Sequence, residues 1–251
     1  MTSLLDHPLI SSRYFFPRPC RFGAPFYVDC GDARLGCYFS HSHPGQPVIV
    51  HFHGNGETVS DYLPEFADAI NALECNLLLA EYRGYGMSTS VPLLGRMLDD
   101  VESVVKAVDI PLRQLIFFGR SLGSLFAIHA ISRFPDAGGL IIESGIADPL
   151  ERFLLRIHPA ELGVSLTEME EEIGLRMNHR RALAAYSGPV LIMHSRCDGL
   201  IDVSHAERLA AWASGPVTLT IFERGDHNMI YEVNRREYLA EVRRLVEKVK
   251  G

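Results

Sequence analysis

One serine in this chain stands in a context that favours nucleophilic chemistry. An apolar run at 115–118 leads into G-R-S-L-G at 119–123, and a helix-like pattern follows. In a tight turn from a strand into a helix, glycines on both sides of a serine remove side chains that would clash, and the hydroxyl is exposed. The G-x-S-x-G pattern in this context therefore predicts that Ser121 attacks a carbonyl carbon.

A serine hydroxyl is a weak nucleophile, so a base and a group that orients the base must lie beside it. Downstream, the apolar run 189–194 is followed by Asp198, and the run 217–222 is followed by His227. Parallel strands bring their C-terminal ends to one edge of a sheet, where Ser121 would also lie. We therefore predict His227 as the general base and Asp198 as the acid, in the chain order serine, acid, histidine.

Three other carboxylates compete with Asp198 for the role of the acid. Glu143 ends the strand that comes after the helix following Ser121. Asp202 lies nearer the next helix, where a carboxylate caps free backbone N–H groups. Asp226 is adjacent to the base and faces another way. Asp198 is the preferred acid, and Glu143 is its main rival.

The negative charge that develops on an attacked carbonyl oxygen needs hydrogen-bond donors. The N–H of Leu122 lies at the first turn of a helix, where backbone donors lack partners within the helix. A second donor is expected in the loop after an earlier strand. Strand 48–52 leads into H-G-N-G-E at 53–57, so we predict the backbone N–H groups of Asn55 and Leu122 as an oxyanion hole.

These motifs occur in the order found in enzymes of the α/β-hydrolase fold. From about residue 26 to the C-terminus, the chain resembles small serine hydrolases near the serine aminopeptidase and acyl-thioesterase branches. The resemblance implies hydrolysis of a carboxylic ester, thioester or amide through an acyl-enzyme, with Ser121, Asp198 and His227 as a triad and no cofactor. The matching segments are H-G-N-G at 53–56, E-Y-R-G-Y-G-M-S at 81–88, G-R-S-L-G at 119–123, Glu143-Ser144, Asp198 and G-D-H-N at 225–228.

Apolar runs alternate with helix-like patterns along most of the chain, which is typical of an α/β domain with a parallel sheet covered on both faces. Residues 26–28 and 34–39 predict an antiparallel hairpin at one end of that sheet. One helix is expected to begin at Ser60, and the last helix to span about 234–249. Further strands are expected at 48–52, 76–80, 115–118, 139–142, 189–194 and 217–222.

The segment between Gly145 and Pro189 interrupts this alternation, since it contains helical patterns but no strand. We expect a short helical cap at about 147–185 over the C-terminal edge of the sheet, where α/β folds bind ligands. The acidic run at 168–172 is interpreted as a solvated helix face. No shift in composition marks a second domain, so residues 1–251 are expected to form a single domain.

Composition argues against several other classes of protein. The chain has 251 residues and a net charge of −7 without a dense lysine or arginine cluster, which disfavours nucleic acid and anionic membranes as partners. No apolar run reaches the roughly 18 residues of a membrane span. Five irregularly spaced cysteines and the lack of a signal-like N-terminus predict a cytoplasmic location. His51 and His53 begin an H-x-H metal pattern, but Asn55 and Gly56 replace its next ligands, so no metal is expected.

Together these features predict a serine hydrolase that acts on a small-molecule ester, thioester or amide. C–C bond hydrolysis or lyase chemistry on the same residues is an alternative, because neither a fold nor a triad specifies the reaction. A non-catalytic binding protein of the same fold is a further alternative, although a binding protein has no need of His227.

Overall fold

The computed structural model describes residues 3–250 and places eight strands in one sheet. The strands are β1 (Phe26–Asp29), β2 (Arg34–Ser40), β3 (Val48–Phe52), β4 (Asn76–Ala80), β5 (Leu115–Arg120), β6 (Gly139–Glu143), β7 (Val190–Ser195) and β8 (Val217–Phe222). Their spatial order is β1-β2-β4-β3-β5-β6-β7-β8. The pairs β1–β2 and β2–β4 are antiparallel, and all other pairs are parallel. The predicted hairpin therefore forms one edge of a mostly parallel sheet, as expected.

Nine α-helices connect and cover these strands within the described residues. They are α1 (Pro8–Tyr14), α2 (Glu65–Asn71), α3 (Leu94–Val108), α4 (Gly123–Arg133), α5 (Pro149–Leu154), α6 (Leu166–Arg176), α7 (His179–Ala185), α8 (Ser204–Trp212) and α9 (Ile230–Lys250). Over residues 3–250, none of the helices combines the length and the apolar character needed to cross a membrane.

The sheet is covered on both faces because alternate residues of its central strands enter two separate apolar clusters. In β3, Val48, Val50 and Phe52 pack into one cluster, whereas Ile49 packs into the other. Every residue of β3 is buried. A parallel strand between two helical layers has no solvent-facing side, which explains why these strands are almost wholly apolar in the sequence.

The predicted start of the second helix at Ser60 is wrong. A 3-10 turn spans Val59–Tyr62, and α2 begins at Glu65. Pro64 separates the two, because the residue before a proline is disfavoured in the helical conformation. Leu63 is accordingly extended, with φ −110° and ψ 137°.

Helical residues that the apolar periodicity of the sequence did not predict occur near both ends of the chain. The last helix, α9, begins at Ile230 instead of at about residue 234, and Asn234 within it has non-helical backbone angles. The first helix, α1, lies before residue 26, in a stretch where no element was predicted. This short helix becomes important at the candidate site, because it contributes to a wall of the cavity there.

The segment between β6 and β7 contains helices and no strand among its described residues, as predicted. α5 comes first and lies beside the candidate site, whereas α7 packs against α4 and α8. In α6, Met169 and Ile173 are buried, while Glu168, Glu170 and Glu171 are exposed. The acidic run is therefore a solvated helix face.

Within the segment 147–185 that was expected to form a cap, residues 149–156 contribute to the wall of the cavity at the candidate site.

Candidate active site

The turn between β5 and α4 is tightly folded around Ser121. Ser121 has φ +51°, in the left-handed region that non-glycine residues rarely occupy. A Cβ atom on Gly119 would lie 2.5 Å from the carbonyl oxygen of Gly123. A Cβ atom on Gly123 would lie 2.0 Å from the carbonyl oxygen of Phe52, at the end of β3. Both glycines are therefore required because backbone atoms already fill the space that a side chain would need.

Replacing Gly123 by alanine is expected to destabilise the protein by about 3 kcal/mol or more, because a methyl group there forces the end of β3 to move. The matched control is Gly174→Ala in α6, where an added Cβ meets no atom within 4 Å. That control is expected to stabilise the helix by about 0.5–1 kcal/mol. Urea unfolding of both variants measures the difference. Equal stability of the two variants would show that the turn is not sterically constrained.

The structure brings the side chains of Ser121, His227 and Asp198 into one hydrogen-bonded chain. His227 Nε2 lies 2.9 Å from Ser121 Oγ, and His227 Nδ1 lies 2.7 Å from Asp198 Oδ2. A carboxylate accepts hydrogen bonds and does not donate them, so the ring proton lies on Nδ1. Nε2 is then free to accept the hydroxyl proton of Ser121, which is the arrangement that a general base requires.

Asp198 is held in place by backbone donors as well as by the imidazole ring. Its Oδ1 accepts hydrogen bonds from the N–H groups of Leu200 at 2.9 Å and Ile201 at 2.8 Å. Burial opposes ionisation of this carboxyl, but the hydrogen bonds from His227 and from the backbone outweigh burial and lower the pKa of Asp198 to about 2. Asp198 is therefore ionised throughout the neutral range and stabilises a protonated His227.

The same pKa predicts how stability changes in acid. The pKa of Asp198 is about 2 in the folded protein against an ordinary value of 3.8, so the unfolded chain binds this proton more readily. Asp198 should then contribute about 2 kcal/mol of stability above pH ~4, and that contribution is lost as the pH falls towards 2. Urea unfolding at several pH values in this window should show a steeper loss in the wild type than in Asp198→Asn. Parallel losses in the two proteins would contradict the low pKa.

The rival carboxylates are bound to other groups. Asp202 Oδ1 accepts a hydrogen bond from the N–H of Ser204 at 2.9 Å, at the start of α8. Asp226 Oδ1 accepts from two backbone N–H groups of the following turn, at 2.9 and 3.0 Å. Glu143 accepts from Arg120 and from the hydroxyl of Tyr238. Among residues 3–250, Asp198 is the carboxylate that contacts the ring of His227.

Two backbone donors at the cavity that contains Ser121 have no hydrogen-bond partner among residues 3–250. Within the described residues, the N–H groups of Asn55 and Leu122 donate no hydrogen bond. The side chain of Asn55 is fixed in place, since its Oδ1 accepts from the N–H of Phe16 at 3.1 Å and from the hydroxyl of Tyr85 at 2.9 Å. Asn55, Ser121 and Leu122 all line the same cavity. These two N–H groups are therefore available to an oxygen atom bound there.

A buried histidine and a buried glutamate support the loop that carries Asn55. His53 Nε2 lies 2.7 Å from Glu81 Oε1, and the two side chains are almost fully buried. Burial opposes protonation of His53, but the carboxylate of Glu81 outweighs burial and raises the pKa of His53. Tyr82 donates its hydroxyl to the carbonyl oxygen of His53 at 2.7 Å. These buried contacts fix the position of His53, two residues before Asn55.

Sequence reasoning missed the role of Arg120, which is buried directly before Ser121. Its guanidinium donates to Glu143 Oε1 at 3.0 Å and to the carbonyl oxygen of His227 at 2.9 Å, and it also pairs with Glu57. Glu57 Oε2 in turn accepts the N–H of Gly54 at 2.6 Å. Arg120 therefore connects the turn that carries Ser121, the loop that carries His227 and the loop that carries Asn55.

The signal for this role was available in the strand ends. Arg120 and Glu143 are the last residues of the neighbouring strands β5 and β6, and they are register partners in the sheet. An arginine and a glutamate that both end apolar strands are candidates for a buried ion pair. The third partner, Glu57, could not be predicted in this way, because it reaches Arg120 from a loop.

Ser121 and His227 open into a cavity of about 320 Å³. α5 and the turn after it form one wall, and the N-terminal residues 14–16 form another. The hydroxyl of Tyr14 lies 2.6 Å from the carbonyl oxygen of Arg152 and 2.5 Å from that of Phe153, so its one proton is shared between them and links these two walls. Sequence analysis missed the N-terminal wall, although its Tyr-Phe-Phe run was a sign of buried apolar contact.

Several known proteins are similar to this chain. A family model described as "Serine aminopeptidase, S33" matches residues 43–169, just over half of the chain. The uncharacterized protein YfhR of Escherichia coli (strain K12) is 25% identical over 194 residues, which cover 72% of this chain and 62% of YfhR. The human alpha/beta hydrolase domain-containing protein 17C is 24% identical over 179 residues, which cover 69% of this chain and 51% of that protein. The chain thus matches less than two thirds of the length of either relative.

Solved structures show the same fold. The esterase Pf2001 of Pyrococcus furiosus superposes with a TM-score of 0.74 at 14% identity, over 95% of this chain and all of that chain. The esterase EaEST of Exiguobacterium antarcticum gives a TM-score of 0.66 at 18% identity, over 89% of this chain and all of that chain. These likenesses confirm the fold class that the sequence predicted.

Proposed function

Because this chain belongs to the serine aminopeptidase S33 family of α/β hydrolases, we propose that it cleaves a small carboxylic ester, or a thioester or short amide, through an acyl-enzyme on Ser121. The observation that carries this proposal is the hydrogen-bonded chain Ser121–His227–Asp198, which ends in a cavity beside two unpaired backbone donors. A catalytic serine needs these parts, and a binding protein does not.

The geometry supports one sequence of steps. Ser121 Oγ attacks the carbonyl carbon while His227 Nε2 takes its proton, and the N–H groups of Asn55 and Leu122 receive the negative oxygen. His227 then gives the proton to the leaving group, and the acyl group stays on Ser121. A water molecule that gives its proton to His227 then attacks the acyl carbon. The bond from that carbon to Ser121 Oγ breaks, His227 returns the proton to Oγ, and the carboxylic acid leaves. Asp198 keeps the imidazole in the required tautomer and stabilises its cationic form.

The charges of the cavity favour an ester over an aminoacyl amide. An aminopeptidase needs a free carboxylate to bind the α-ammonium group of its substrate. Among the described residues that line the cavity, Glu57 is the sole acidic side chain, and it is already paired with Arg120. An ammonium group therefore finds no unpaired acidic partner there, whereas an apolar acyl group meets Leu125 and Phe153.

Covalent labelling tests the proposal. A fluorophosphonate probe should modify the folded wild-type protein, and peptide mass spectrometry should locate the adduct on Ser121. Ser121→Ala should stay unlabelled, and heat-denatured wild type serves as the control for non-specific reaction. A folded wild type without an adduct, or with an adduct on another residue, would refute the mechanism. Kinetics with p-nitrophenyl esters of increasing chain length, thioesters and aminoacyl amides then distinguish the substrate classes.

A further inference from the structure

Two arginines lie at the cavity that contains Ser121, and their side chains make no ion pair. Arg152 is in α5, and Arg156 follows that helix by two residues; both line the cavity. Among residues 3–250, no carboxylate oxygen lies within 4.0 Å of either guanidinium. The chain as a whole has a net charge of −7, whereas these two arginines make the charge at this wall of the cavity locally positive.

Two glutamates near this wall are already paired with other cations, and Asp148, the N-cap of α5, accepts the N–H of Glu151 at 3.1 Å and makes no ion pair among the described residues. Glu151 accepts from Arg208 at 3.0 Å, and Glu161 pairs with Arg13 at 2.7 Å. Glu57, inside the cavity, pairs with Arg120. The positive charge of Arg152 and Arg156 is therefore left for a group that comes from solution.

Each guanidinium group makes one hydrogen bond to a backbone carbonyl oxygen, with Arg152 half-buried and Arg156 exposed. Arg152 donates to the carbonyl oxygen of Leu200 at 2.9 Å, and Arg156 donates to the carbonyl oxygen of Arg13 at 2.9 Å. The guanidinium carbon of Arg156 also lies 5.6 Å from the ring centre of Tyr14 and 5.5 Å from that of Phe16. A guanidinium has five N–H donors, so several on each arginine remain free for a ligand. The planar fork of a guanidinium is pre-organised, so less side-chain entropy is lost for each hydrogen bond that it forms to an anion.

The rest of the cavity is mainly apolar. Its lining includes Leu94, Leu125, Ile146 and Phe153. An apolar pocket with a few placed polar groups fits a ligand that is apolar at one end and charged at the other.

We propose that the substrate is an amphiphilic ester that carries a carboxylate or phosphate group, bound by Arg152 and Arg156, while its apolar part fills the cavity. This proposal rests on the proposed function of Ser121 and adds the charge of the substrate. A planar carboxylate and a tetrahedral phosphate both present two oxygen atoms that can accept parallel hydrogen bonds from two N–H groups of one arginine.

Matched ester pairs test the proposal. In one pair the anion is on the leaving group, and hydrolysis of the butyryl ester in 4-butyryloxybenzoate is compared with that in its methyl ester. A third compound, 4-butyryloxyphenyl phosphate, carries a phosphate in place of the carboxylate. In the other the anion is on the acyl chain: 4-nitrophenyl hydrogen suberate against its methyl ester. We expect kcat/KM of the anionic ester to exceed that of its neutral partner by about tenfold or more in at least one pair. Raising NaCl from about 10 mM to about 500 mM should shrink this ratio, because salt screens charges near the surface.

The double variant Arg152→Gln, Arg156→Gln should bring the ratio to about one. The double variant Arg236→Gln, Arg243→Gln is the matched control, since both arginines are exposed on α9, do not line the cavity, and their replacement removes two positive charges in the same way. It should keep the wild-type ratio. A wild type that hydrolyses both members of every pair equally would overturn the anionic substrate and leave the serine mechanism intact.

Failure of the serine mechanism gives a different result. In that case no ester is hydrolysed and the fluorophosphonate probe does not react, but the anion site can still be measured by calorimetry with hexyl phosphate and hexanol. Binding of hexyl phosphate that is tighter than that of hexanol, and is lost in the double variant, supports the site. Equal affinity for the two compounds overturns it.

Discussion

Replacing Asp198 by asparagine is expected to lower kcat by about four orders of magnitude, as in other triads. The reason is the orientation that the site imposes on the new amide. The introduced side chain must place its oxygen towards the N–H groups of Leu200 and Ile201, which now donate to Asp198 Oδ1 at 2.9 and 2.8 Å. Its NH₂ group then faces His227 Nδ1 and drives the ring proton to Nε2. In that tautomer His227 cannot accept the proton of Ser121.

Ester hydrolysis under saturating substrate measures this loss. Asp202→Asn is the matched control, because Asp202 is a cap at the start of α8 and does not contact His227. It should retain activity within about twofold, since a cap contributes to stability alone. Glu143→Gln tests the rival acid. Near-normal activity in Asp198→Asn together with a collapse in Glu143→Gln would assign the acid to Glu143 instead.

Replacing Arg120 by methionine is expected to lower both stability and activity. The change leaves the carboxylates of Glu57 and Glu143 buried or half-buried without their cation, and breaking a buried ion pair in this way costs about 3–5 kcal/mol. It also removes the donor to the carbonyl oxygen of His227. Small displacements of a catalytic group reduce rates steeply, so we expect kcat to fall by about 10²-fold.

Thermal unfolding and ester kinetics separate these two effects. Arg133→Met is the stability control, because its salt bridge with Glu102 is at the surface and is worth about 1 kcal/mol or less. The triple variant Arg120→Met, Glu57→Gln, Glu143→Gln removes the stranded charges and should regain part of the lost stability. Its kcat should stay low, because His227 still lacks its anchor. Recovery of kcat along with stability would show that Arg120 acts through the stability of the fold alone.

The strands of the sheet were predicted well from the sequence, because a strand that is buried on both faces is a short, nearly continuous apolar run. β3, β4 and β8 were predicted with the bounds that the structure shows, and the other strands to within two residues. Helix boundaries were predicted less well from apolar periodicity. The helix expected to begin at Ser60 is divided by one proline into a 3-10 turn and α2. Where a local steric rule overrides periodicity, periodicity alone gives the wrong boundary.

The candidate site divides in the same way. By itself, the sequence determined which chemistry to expect, since Ser121, Asp198 and His227 each follow a strand, and strand order brings such residues to one edge of the sheet. Their roles remain a prediction, for which the observed distances supply the geometry. Tertiary structure decided what surrounds them: Arg120 joins loops distant in sequence, residues 14–16 close one wall, and Arg152 and Arg156 have no acidic partner among residues 3–250. These features depend on contacts between segments that are distant in the chain. Local patterns such as the strand-end pair Arg120 and Glu143 or the Tyr-Phe-Phe run at 14–16 indicate that a contact forms, but not which distant segment completes it.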